Sequence, residues 1–117
     1  MAEPMKRIST HVLDVSRGKP AGDVPVRLER QQAPGDWQLL NAANTDQDGR
    51  CSQLLPAEEL LPGLYRMKFD TAHYFDAQKI AGLYPVVEVT FQVREGESQF
   101  HIPLLLSANG YTTYRGT

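Results

Sequence analysis

The chain has 117 residues, a length that suits one domain built around one core. With 41% hydrophobic and 22% charged residues, its composition is that of an ordinary globular protein. A formal net charge of −2 gives no basic footprint, which sets nucleic acid aside as a partner, and no apolar run approaches the ~20 residues of a membrane helix.

Residues 1–6 read as a loose extension of a single domain spanning 1–117. They contain no apolar h-region, so no secretory leader is expected. Cys51 is the sole cysteine and has no internal disulfide partner, which fits a reducing compartment. Cytoplasm is the expected location, with the periplasm as the alternative if a leader has been removed.

Period-two alternation with β-branched and aromatic residues governs the chain. Arg7 to Asp14 alternates as a strand and Gly18-Lys19-Pro20 turns it. Val24 to Arg30 places Val24, Val26 and Leu28 on one face, and Pro25 puts that run at a strand start or a sheet edge. Ala33-Pro34-Gly35-Asp36 is a turn before a third strand, Trp37 to Ala42. Thr45-Asp46-Gln47-Asp48-Gly49 is a loop of residues that bond their own backbone or accept positive φ. Cys51 to Leu55 is a short strand. After Pro62-Gly63, Leu64 to Phe69 sets Tyr65, Met67 and Phe69 against Leu64, Arg66 and Lys68.

Thr71 to Lys79 is the one helix candidate, capped by Thr71 and stopped by Gly82 and Pro85. Val86 to Val93 is strand-like, Glu95-Gly96-Glu97 turns, and Phe100 to Leu106 runs back. Ser107-Ala108-Asn109-Gly110 is the last turn, with Asn-Gly as its hairpin signal. Seven or eight short strands with regular turns and one short helix predict an all-β sandwich.

Three histidines carry most of the candidate chemistry. His11 lies mid-strand and shares a face with Ser9 and Leu13. His101 follows Phe100 and precedes Ile102-Pro103, while His73 falls in the helix. None has the spacing of a zinc site, so no metal is expected. Asp46, Asp48 and Gly49 only faintly suggest a calcium loop, with no glutamate at the required position. Cys51 has no base beside it in sequence and reads as a packing group. The last residues, Tyr111 to Thr117, hold two tyrosines, a planar arginine donor fork and a glycine, which are groups suited to recognition.

In order, Ser9-Thr10-His11-Val12-Leu13-Asp14, Gly18-Lys19-Pro20-Ala21, Asp48-Gly49-Arg50, Tyr84-Pro85, His101-Ile102-Pro103-Leu104-Leu105-Leu106-Ser107 and Tyr111-Thr112-Thr113-Tyr114-Arg115-Gly116-Thr117 resemble the 5-hydroxyisourate hydrolases, the transthyretin-related enzymes of urate breakdown. The resemblance runs from about Arg7 to the last residue. It implies a transthyretin-like (immunoglobulin-like, Greek-key) sandwich of two four-stranded sheets with a short helix. It also implies a homotetramer with sites in a channel between dimers, and hydrolysis of 5-hydroxyisourate without metal or organic cofactor. By motif position, His11, Arg50, His101 and Thr117 would be catalytic, with His11, Arg50, Tyr114, Arg115 and Gly116 binding substrate. Two positions depart from the pattern: Thr117 stands where the family usually ends in serine, and Gln99 stands where a further histidine is common.

Two rival readings predict different behaviour. A transthyretin-type carrier would bind a small aromatic ligand without turnover. An immunoglobulin-like interaction module would use an exposed sheet edge for β-augmentation. The histidine pair and the terminal Tyr-Arg-Gly favour the enzyme.

Overall fold

The computed structural model of the protein describes residues 8–55 and 60–117. The expected strand start at Arg7 and the extension at 1–6 lie outside them. The elements are β1 (Ile8–Asp14), β2 (Lys19–Pro20), β3 (Pro25–Ala33), β4 (Asp36–Asn44), β5 (Arg50–Leu55), β6 (Gly63–Phe69), α1 (Thr71–Asp76), β7 (Val87–Val93), β8 (Phe100–Ser107) and β9 (Gly110–Thr113).

They form two sheets. In one, β4-β3-β6-β7 follow in antiparallel order; in the other, β2-β1-β8-β9 are joined by β5, which pairs with β1. The sandwich is the expected one, with the two-residue β2 added where only a turn was expected. Leu13 and Asp14 pair with Pro20 and Lys19 across that turn. One pairing is decisive for the site: β1 and β8 run parallel, with Ser9 opposite His101 and His11 opposite Pro103. Side chains directly opposite in a sheet share a face.

Alternation decides which face is buried. Ile8, Val12, Leu104 and Leu106 of one sheet meet Val26, Leu28, Tyr65, Met67, Phe69 and Val87 of the other in one hydrophobic cluster. Aromatic contacts close one end, with the Tyr65 and Phe91 rings 5.9 Å apart and Phe91 and Phe100 5.6 Å apart. Pro25 is the first residue of β3, where its missing N–H costs no ladder bond.

The helix departs from expectation at both ends. Asp70, not Thr71, is its N-cap, and the Asp70 carboxylate accepts from the His73 amide. Thr71 is instead buried, and its hydroxyl donates to the Tyr84 carbonyl. The helix ends at Asp76, three residues early, because Lys79 adopts φ +59° and the Ile80 amide turns back to the Phe75 carbonyl. Tyr74 anchors α1 to β1 by donating its hydroxyl to the buried Asp14 carboxylate at 2.7 Å. The last turn spans Ser107 to Gly110 as expected, with the Asn-Gly pair off its centre. Ser107 pairs with Gly110, so Ala108-Asn109 are the central residues and neither has positive φ.

Candidate active site

The outer face of the sheet containing β1 is built by simple alternation. Ile8, Thr10, Val12 and Asp14 turn inward, leaving Ser9, His11 and Leu13 half-buried on the other side. On β8 the inward Phe100, Ile102 and Leu104 leave His101 and Leu105 outward. The Thr10 hydroxyl donates to the Ile102 carbonyl at 2.6 Å and fixes the two strands together beneath this face.

Arg50 joins His11 through a tightly wound loop. The Asp46 carboxylate accepts from the Asp48 and Arg50 amides, each at 2.9 Å, and the Gly49 amide donates to the Asp46 carbonyl. That carboxylate is occupied by its own loop, as expected for a short polar side chain in a turn. Gly49 has φ +78°, and a Cβ there would fall 2.3 Å from the Val12 carbonyl oxygen. Only glycine lets the loop lie this close to β1, where the Val12 amide donates to the Gly49 carbonyl at 2.7 Å. The result is register: Arg50 lies opposite His11 and the buried Cys51 opposite the buried Thr10. Arg50 is exposed, and its guanidinium has no partner among the described residues.

Both histidines are held by their rings. His11 Nε2 lies 2.7 Å from the Asp48 carbonyl oxygen. A carbonyl only accepts, so Nε2 donates, and in the neutral ring Nδ1 carries the lone pair. His101 Nδ1 lies 2.8 Å from the Ser9 hydroxyl oxygen. No residue-type pattern singled out Ser9, because its partner depends on the parallel pairing of two strands 92 positions apart.

The terminal segment returns along β8. The Gly116 amide donates to the His101 carbonyl at 2.7 Å in an isolated antiparallel bridge. A Cβ on Gly116 would lie 2.6 Å from His101 Cδ2, so this glycine is what lets the strap sit against the ring. Arg115 holds the strap in place and points away from the histidines. Its guanidinium donates to Glu97 at 2.9 Å and to the Gln99 carbonyl at 3.2 Å, and stacks 4.2 Å above the Phe100 ring. The Arg94 amide and then Arg115 hold the Glu97 carboxyl below its ordinary range. The expected substrate-binding arginine is therefore engaged in positioning the chain end.

Tyr114 lines a hollow of about 220 Å³ with Val89, Phe91, Phe100 and Ile102, at the seam between the sheets. It is not on the face that bears His11 and Arg50. Thr117, exposed, follows Gly116 directly and so ends the strap beside His101. His73 is remote from the others, on α1, with Nε2 3.3 Å from an Asp23 carboxylate oxygen. Cys51 is buried, and burial, then the Asp46 charge, push its thiol up to about 11, which leaves it protonated and inert. Among the described residues no group of three or more His, Cys, Asp or Glu side chains is placed to hold a metal.

Fold and face together define a transthyretin-type sandwich whose outer sheet surface presents two hydrogen-bonded imidazoles, one held by a backbone carbonyl and one by a serine hydroxyl, and an exposed guanidinium. The HIUase/Transthyretin family profile matches residues 8–116, and the chain belongs to that family. It is 44% identical over 110 residues to the 5-hydroxyisourate hydrolase of Salmonella typhimurium, covering 94% of this chain and 80% of that one. The structure of Klebsiella pneumoniae 5-hydroxyisourate hydrolase superposes with a TM-score of 0.84 at 32% identity, covering 97% of this chain and 100% of that chain. Sea bream transthyretin in complex with thyroxine superposes with a TM-score of 0.88 at 31% identity, covering 95% of each chain. Backbone similarity alone thus does not separate the hydrolase from the thyroxine-bound transthyretin.

Proposed function

We propose that this protein hydrolyses 5-hydroxyisourate, opening its ring to 2-oxo-4-hydroxy-4-carboxy-5-ureidoimidazoline in urate degradation. The observation that carries the reading is the meeting of His11, Arg50 and His101 on one sheet face with the Gly116 strap seated against His101. The curated relatives named 5-hydroxyisourate hydrolase at 44% and 42% identity support it.

Hydrolysis needs a water activated for attack, a cation where charge builds on the carbonyl oxygen, and a proton for the departing ring nitrogen. His101 takes the proton from water as that oxygen bonds to the ring carbonyl carbon; a neutral imidazole is suited to this near neutral pH. Arg50, permanently charged and without a side-chain partner among the described residues, holds the oxyanion. As the C–N bond breaks, protonated His11 delivers its Nδ1 proton to the leaving nitrogen, and exchange with solvent resets the pair. Thr117 contributes a hydroxyl contact to the substrate at the end of the strap, and Arg115 keeps that strap in place.

The site is completed in a homotetramer, with the histidine faces lining a channel between dimers. Exposed Val15, Leu83, Tyr84 and Tyr111, together with the sheet-end strands β7 and β9, support assembly. Size-exclusion chromatography with light scattering tests it; a fully active monomer would exclude an intersubunit site.

The activity is tested by the ultraviolet decay of 5-hydroxyisourate generated in situ by urate oxidase, with this protein far below the substrate concentration. Faster decay is expected. Spontaneous-rate decay would point instead to a carrier of transthyretin type.

A further inference from the structure

Ser9 is not among the residues that the resemblance assigns to the site, yet it makes the hydrogen bond that fixes the His101 ring. The two residues are opposite each other in the parallel β1–β8 pairing, and Ser9 Oγ lies 2.8 Å from Nδ1. The opposite edge of the ring faces the terminal strap, since a Cβ on Gly116 would fall 2.6 Å from Cδ2. The imidazole is therefore held between a hydroxyl at its Nδ1 and a glycine against its Cδ2–Cγ edge.

A neutral imidazole carries one hydrogen, and the nitrogen without it is the base. The Ser9 hydroxyl has two lone pairs and can accept, so a ring hydrogen on Nδ1 is satisfied there. With the hydrogen on Nδ1, the lone pair lies on Nε2. The other histidine is fixed in the opposite sense, because the Asp48 carbonyl holds a hydrogen on Nε2 of His11.

We infer that Ser9 is a positioning residue that selects the Nδ1–H tautomer of His101 and so sets Nε2 as the nitrogen that accepts the proton of water. This rests on His101 as the base of the proposed hydrolysis. It adds a residue to the site and makes the two histidines complementary: one presents Nε2 and the other Nδ1. Ser9 and His101 are both half-buried, and the strand register sets the hydroxyl at Nδ1.

Ser9→Ala and Ser9→Thr test the inference, with His101→Ala as the reference. Nitrogen-15 spectra of histidine-labelled protein report which ring nitrogen of His101 carries the hydrogen. The wild type is expected to show Nδ1–H, and Ser9→Ala a mixture shifted towards Nε2–H. Loss of one such hydrogen bond corresponds to about a tenfold fall in kcat. KM should change less than about twofold, because Ser9 does not touch substrate. Ser9→Thr should restore both spectrum and rate. An unchanged His101 spectrum in folded Ser9→Ala, or a loss confined to KM, would overturn the inference. If His101→Ala stays active, His101 is not the base, and the spectrum alone then decides whether Ser9 selects the tautomer.

Discussion

Gly116→Ala tests whether the terminal strap is part of the catalytic surface or only lies near it. The methyl would arrive 2.6 Å from His101 Cδ2 and 3.3 Å from the His101 carbonyl oxygen. Ordinary carbon contact begins near 3.4 Å, so ring and strap must part by about 0.8 Å. The ring cannot yield freely, because Ser9 holds its other side at 2.8 Å. A displacement of about 1 Å in a reacting group costs on the order of 10²-fold, so kcat should fall ~10- to 100-fold. Overall stability should change little, since the strap is terminal and the substitution endangers one backbone hydrogen bond, worth ~1 kcal/mol. Gly110→Ala is the internal control: its Cβ would meet only Ser107 Oγ, at an unstrained 3.8 Å. The assay is initial-rate decay of 5-hydroxyisourate alongside thermal unfolding of both variants. Gly116→Ala within threefold of wild type, with an unaltered melting point, would refute the claim that the strap positions His101.

Arg50→Ala should lower kcat by ~10²–10³ with the fold intact, measured by the same decay assay, because its guanidinium anchors nothing else among the described residues. Gly49→Ala should act on the fold instead: the φ of +78° and the 2.3 Å approach to the Val12 carbonyl predict at least ~2 kcal/mol of destabilisation, a fall in Tm of roughly 8 °C. Cys51, with its thiol pushed up to about 11, should react with a thiol reagent at pH 8 only as fast as the protein opens, and addition of denaturant should release it. The Glu97 carboxyl has a depressed pKa, so its pairing with Arg115 stabilises the strap above the ordinary value of 4.5 and is lost as pH falls through the lower folded value. Exchange of the Gly116 amide, followed from pH 6 downward, should accelerate in that acid range in the wild type and be fast throughout in Arg115→Ala.

Much of the fold was legible because it rests on alternation, which is a local property. Tyr65, Met67 and Phe69 turn inward and Arg66 and Lys68 outward, as their period of two requires. What alternation does not carry is pairing. The helix end at Asp76 depended on a lysine accepting positive φ, which residue preference disfavours and which the contact of Gly82 with the Phe75 ring accompanies. The hairpin centre moved off Asn109-Gly110 because Gly110 is paired with Ser107 and serves as the first residue of β9.

The site shows the same division between residue type and register. His11, Arg50 and His101 were identifiable from motif position, and the sheet brings them to one face. Arg115 was identifiable as a recognition group, but its ligand is the protein itself: Glu97 lies only 18 positions away, and the guanidinium meets it over the Phe100 ring. The consequence separates two roles within one terminal motif. Gly116 is bridged to His101 and Thr117 follows it, while Arg115 ties them there and Tyr114 lines a hollow beside Phe91 and Phe100. A carrier with this backbone would need none of these constraints, since a ligand channel asks for shape and apolar surface. A hydrolase needs each imidazole nitrogen assigned, and here a carbonyl assigns one ring while a hydroxyl lies within reach to assign the other. The polar detail of this sheet face, rather than the sandwich that bears it, is therefore where the chemistry of this chain resides.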